Sequence, residues 1–142
     1  MRNSLFIIML LLLVACIAEK KPVELAYFQN YREGISYAQK QNQLILLIFD
    51  FWANPTMSTL KLIEDDEIIQ LLEDYTVIHL MVDDRTILDN GKTLGEFNHD
   101  LQASMGLKNQ PCYVILESNL NIIKGPVGYM KKAALIRWIE SE

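Results

Sequence analysis

Asp50, Thr56 and Thr59 stand within ten residues of one another. A carboxylate near two hydroxyls is the beginning of a nucleophile and its activator. A hydroxyl also needs a general base to take its proton, and an acid alone activates it poorly. No histidine stands at a recognisable position to serve as that base, so hydroxyl-nucleophile chemistry is not expected. Thr56 and Thr59 suit a helix start instead, where threonine caps readily. The two cysteines, Cys16 and Cys112, lie in contexts too different to suggest a disulfide framework. Cys112 follows Pro111 in an apolar run and reads as a small buried hydrophobe, with a reactive free thiol as the alternative. His79 falls inside an apolar run and His99 near a helix start. Two histidines without clustered cysteines lack metal-ligand spacing, so neither a metal nor a cofactor is expected.

The elements that would hold these groups follow from hydrophobic pattern. Val23 to Phe28 reads as a short edge strand. Asn30 and Glu33 have capping-box spacing and open a helix running to about Asn42, with Tyr31, Ile35 and Ala38 on one face. Leu44 to Phe49 is continuously apolar, the mark of a central parallel strand buried on both faces. Pro55 fits the first turn of the next helix, where its missing N–H costs little. The acidic Asp65-Asp66-Glu67 predicts a break near Glu64 and a restarted helix. Thr76 to Val82 is a second buried strand, with Asp83-Asp84 read as its solvated end. Asp84 to Gly95 is a polar connection, and Phe97 to Met105 a short helix closed by Gly106. Cys112–Glu117 and Asn121–Lys124 form a hairpin, Gly125-Pro126 is a breaker, and Met130 to Ile139 is a last amphipathic helix. Parallel crossovers first and a hairpin last predict an α/β fold: three layers, with a central mixed sheet and helices on both faces.

One domain is expected from a chain of 142 residues. Ahead of it, Met1 to Ser4 carries one positive side chain, Arg2, and Leu5 to Val14 is unbroken apolar sequence. That run is too short for a transmembrane helix and has the length of a signal-peptide core. It ends in Leu13-Val14-Ala15-Cys16, which resembles the lipobox of bacterial lipoproteins. The resemblance implies a signal peptide over residues 1–15 and lipid on Cys16. Residues 16–22 are then a short tether and residues 23–142 the domain. Several acyl chains would make that membrane anchor stable. The tether lacks an acidic cluster after the cysteine, which favours the periplasm-facing side of the cell envelope. After removal of residues 1–15 the chain has 12 basic against 18 acidic residues, a net charge of −6. An acidic domain without a basic patch is a poor nucleic-acid binder.

Asp50-Phe51-Trp52-Ala53 at the end of the central strand is similar to the thioredoxin family, where the same four residues precede a Cys-x-x-Cys by two places. Here Thr56 and Thr59 occupy both cysteine positions. Gln110-Pro111-Cys112-Tyr113-Val114 resembles the family's cis-proline followed by a strand. Tyr75 to Thr86, with its Val82-Asp83-Asp84-Arg85-Thr86, and the Gln-Pro-x-Tyr-Val segment resemble the C-terminal periplasmic domain of the transmembrane disulfide reductases. The resemblance covers nearly all of Val23 to Glu142. It implies a thioredoxin-like fold and a cis peptide bond at Pro111, with Pro111 beside Thr56. Asp50 would be a vestigial buried carboxylate without a partner cation, and Trp52 core or groove wall. It also implies a vestigial groove, drawn from Asp50, Trp52, Pro55, Gln110 and Pro111, that pairs with extended peptide. The chemistry does not carry over. Disulfide exchange needs a thiolate to attack sulfur and a second thiol to resolve the intermediate, and threonine does neither. The expected function is a membrane-tethered, redox-inactive module binding an envelope protein or extended peptide. The alternative is a thiol-disulfide oxidoreductase, or an accessory to one, using Cys112 or a partner's cysteines.

Overall fold

The computed structural model describes residues 23–52 and 54–141, with side chains in the second stretch from Ser58 onward. The expected signal peptide, Cys16, the tether and the Thr56 side chain lie outside the described residues.

The elements are β1 (Ala26–Phe28), α1 (Tyr31–Gln41), β2 (Leu44–Asp50), α2 (Asn54–Ile63) and α3 (Asp66–Leu71). They continue with β3 (Tyr75–Met81), α4 (Leu94–Ser104), β4 (Cys112–Leu116), β5 (Ile122–Val127) and α5 (Lys132–Glu140). The sheet order is β1-β3-β2-β4-β5. β3 pairs parallel with both β1 and β2, and β4 pairs antiparallel with β2 and β5. The mixed sheet and the order of elements are those the sequence predicts.

Alternation along the strands sorts the core into two layers. Ile45, Leu47 and Phe49 of β2 meet Ile35 and Ala38 of α1 and Leu101 of α4 on one face. Leu46 and Ile48 meet Ile63 of α2, Ile68 of α3, and Leu135 and Ile139 of α5 on the other. β2 and β3 are buried on both faces except at their first residues, which is why they read as unbroken apolar runs.

Local chemistry sets the ends. The Asn30 side chain accepts from the Glu33 N–H at 3.2 Å, and Asn42 closes α1 in the left-handed region at φ 53°. Asp65 caps α3, as the acidic stretch predicts.

Three boundaries depart from expectation. β1 is shorter, because pairing with β3 begins only at Ala26. α4 starts at Leu94, not Phe97, behind a full capping box of Thr93 and Glu96. Gly95 lies inside that first turn, where a Cβ would come within 2.6 Å of the Asp84 nitrogen. Gly125-Pro126 does not end the strand but lies within β5. β5 is an edge, so a residue without an N–H is tolerated. Gly125, at φ +95°, brings its backbone against the Tyr113 carbonyl.

Candidate functional site

The carboxyl ends of β2 and β3 place Asp50 and His79 on one face of the sheet. Both are fully buried. Asp50 Oδ1 accepts the Phe51 N–H at 2.9 Å, and Oδ2 lies 3.2 Å from His79 Nε2. The other ring nitrogen, Nδ1, is 3.0 Å from the Tyr27 hydroxyl on β1. With a neutral imidazole the assignment is one-directional: Tyr27 O–H donates to Nδ1, and Nε2–H donates to the carboxylate. Gln29 Nε2 donates to the Tyr27 oxygen at 3.4 Å, at the outer end of the chain. Burial raises the Tyr27 hydroxyl pKa above its ordinary value. Asp50 is therefore buried as expected, and it has in His79 a hydrogen-bond partner that the sequence reading did not give it. The missed signal was strand parity: Asp50 and His79 are polar residues near the ends of two neighbouring apolar strands. The sequence pattern sets both histidines aside as base and as metal ligand, whereas the structure places His79 against Asp50.

Thr59 is also buried. Its hydroxyl lies 3.0 Å from the Tyr113 hydroxyl on β4. Burial pushes the Tyr113 pKa up to about 12, against the smaller lowering effect of the Thr59 hydrogen bond. Thr59 lies in the middle of α2 and not at its start, where the sequence reading put it, and its hydroxyl faces a phenol. Pro55 stands in the first turn of α2.

The proline loop is held from α4. Gln102 Nε2 donates to the Asn109 carbonyl at 2.8 Å, and its Oε1 accepts from Gln110 Nε2 at 2.6 Å. The Gln110–Pro111 bond is cis. A second cis bond, Gly125–Pro126, was not anticipated. Cys112 is buried, and burial raises its thiol pKa. It lines a cavity of about 260 Å³ with the Gly106–Asn109 loop and Pro126–Gly128.

Trp52 is not core: it is 60% exposed. Its N–H donates to both oxygens of Asp83, at 3.1 and 3.0 Å. Asp83 is therefore more than a solvated strand end, since it anchors the residue that follows β2. Among the described residues no group of three or more His, Cys, Asp or Glu could hold a metal. No helix among them is long and apolar enough to cross a membrane.

Solved structures share this fold. A thioredoxin from Thermus thermophilus superposes with a TM-score of 0.62 at 17% identity, over 81% of this chain and 84% of that one. The fold is thioredoxin-like. The DsbH oxidoreductase matches with a TM-score of 0.59 at 14% identity, over 84% of this chain and 87% of that one. The reduced C-terminal domain of DsbD from Neisseria meningitidis matches with a TM-score of 0.56 at 16% identity, over 80% and 96% of the respective chains. No protein-family model and no curated protein matches this sequence. At such identities the likeness establishes the scaffold, and the scaffold does not fix the function.

Proposed function

We propose that this chain is a membrane-tethered, redox-inactive thioredoxin-like module that binds an extended segment of another envelope protein. Lipid on Cys16 tethers it, and the domain faces the periplasm. The observation that carries the reading is the Thr59–Tyr113 contact. At the position of a resolving thiol stands a buried hydroxyl, already engaged by a phenol at 3.0 Å. A threonine hydroxyl forms no mixed disulfide, and Thr56 fills the attacking position in the sequence. The only other thiol in residues 23–142 is Cys112, which is buried with a raised pKa and so poorly populated as thiolate. In this reading the exposed Trp52 and the cis-proline loop held by Gln102 and Gln110 are the walls of a peptide groove. Such a groove takes extended peptide through main-chain pairing, without a thiol.

Incubation of the intact protein with a protein disulfide and a dithiol donor tests this. No reduction above the donor-only rate is expected, and Cys112 should react slowly with a thiol reagent until the protein is unfolded. Disulfide reduction that disappears in Cys112→Ser would establish the oxidoreductase reading instead. Mass spectrometry of the mature protein checks the anchor. Cys16 as first residue with lipid on its sulfur is the expected result, and a mature protein with no acyl mass on Cys16 would remove the membrane tether.

A further inference from the structure

Beyond the end of β3 the chain turns back past the end of β2, and the two segments enclose a shallow depression of about 480 Å³ lined by Trp52, Asp83, Asp84 and Arg85. It lies at the carboxyl ends of two parallel strands, the end of an open α/β sheet at which ligands gather. Both carboxylates are held in place from the main chain. Asp83 accepts the Trp52 N–H through both oxygens, and Asp84 Oδ1 accepts the Thr86 N–H at 2.8 Å. Arg85 shares the rim but forms no ion pair with either carboxylate among the described residues. Trp52, a residue that is 60% exposed, therefore lines the depression together with two fixed carboxylates that form no ion pair among the described residues.

An aromatic face attracts a cation electrostatically, and adjacent carboxylates add hydrogen-bond acceptors for its N–H groups. We infer that this depression receives a lysine or arginine side chain from the extended segment that occupies the groove. The inference rests on the peptide-binding reading and gives it a sequence preference. The acidic charge of the domain, −6 once residues 1–15 are removed, acts in the same direction by favouring encounter with a basic segment. Arg85 competes with the incoming cation, so the depression selects against acidic side chains without being saturated from within.

The test uses Trp52 emission in the full-length protein carrying Trp138→Phe, which leaves Trp52 as the sole indole. Three probes are titrated: N-acetylarginine amide, a blocked extended heptapeptide with one central arginine, and the same heptapeptide with norleucine. The arginine peptide should bind about fivefold more tightly than the norleucine peptide, from one cation–π contact and one exposed charge pair. Salt should weaken the first and leave the second unchanged. Asp83→Asn with Asp84→Asn keeps oxygens for the Trp52 and Thr86 N–H groups, and should abolish the preference. Arg85→Met should strengthen arginine binding. Equal affinity of the two peptides would overturn the cation site and leave the groove standing. Arginine amide binding as tightly as the arginine peptide would keep the cation site and overturn the groove. Absence of binding by all three would overturn both.

Discussion

The two faces of the sheet bury polar groups in different ways. On the face covered by α2, α3 and α5, the apolar layer is interrupted by an ionisable chain, Tyr27–His79–Asp50, and by the Thr59–Tyr113 hydroxyl pair. On the face covered by α1 and α4, the buried polar groups are neutral: the Thr76 hydroxyl, which donates to Gln43, and the amides of Asn98 and Gln102, which bind backbone carbonyls and Gln110. A buried charge is costly to leave without its partner, whereas an unmet amide costs less. The first face should therefore respond more strongly to single substitutions.

His79→Leu puts the greatest strain on that difference. It takes away the N–H that donates to the buried Asp50 carboxylate, and losing a hydrogen bond to a buried charged group costs about 3 kcal/mol. Asp50→Leu with His79→Leu removes both members and should recover most of that loss. Urea denaturation of the single and double variants reads the coupling directly. Additive losses would mean that the 3.2 Å contact carries no coupling energy, and that the two faces are alike.

Tyr113→Phe probes the same face through pH. The native phenol holds its proton to about 12, while the unfolded one loses it near 10. Between these values the unfolded chain binds fewer protons than the native one, so stability falls as pH rises. The loss begins near pH 10, is complete above 12, and amounts to roughly 2–3 kcal/mol. Tyr27, Tyr31 and Tyr75 are shifted upward too, so alkaline destabilisation persists in the variant but with a smaller slope. At neutral pH Tyr113→Phe should cost about 1 kcal/mol, for the lost bond to Thr59. An unchanged slope between pH 10 and 12 would remove Tyr113 as a source of the alkaline loss.

The sequence made the two faces legible in unequal measure. Continuous apolar runs marked β2 and β3 as central, and the resemblance around Asp50 and Pro111 supplied the fold and the cis bond. Strand burial hid the Asp50–His79 contact, because nothing local says that a histidine 29 residues away faces a given carboxylate. Parity along two paired strands carries that information, and it becomes usable only once the pairing is known. Gly125-Pro126 misled for a related reason. Its turn signature is local, while its tolerance in β5 depends on that strand being an edge. Gly95 likewise concealed the first turn of α4, because its conformational cost counts against a helix while its need to clear Asp84 is tertiary.

Gln102→Leu belongs to the amide face. It removes an acceptor from Gln110 and a donor from the Asn109 carbonyl, and should cost about 1–3 kcal/mol by urea denaturation. Its more specific consequence is on the proline loop. Amide hydrogen exchange at Asn109 and Gln110 should accelerate in this variant more than exchange in β2 or β3. Uniform acceleration across the sheet would show that Gln102 supports the whole core and not that loop.

The smallest change expected is at Asn98, and it separates an amide from a charge at one position. Asn98 Nδ2 donates to the Met81 carbonyl at 2.8 Å, but Oδ1 is buried and has no hydrogen-bond partner. One satisfied bond contributes about 1 kcal/mol, and one unmet buried acceptor costs a similar amount, so the two nearly cancel. Asn98→Leu, close in volume, should therefore shift stability by less than about 1 kcal/mol in either direction. Asn98→Asp places a carboxylate at the same point, loses the donor to Met81, and has no imidazole facing it. Its cost at neutral pH should exceed that of Asn98→Leu several-fold and shrink in acid as the group is protonated. If Asn98→Leu proved as damaging as His79→Leu, neutral and ionisable burial would weigh equally in this fold, and the contrast between the two faces would fail.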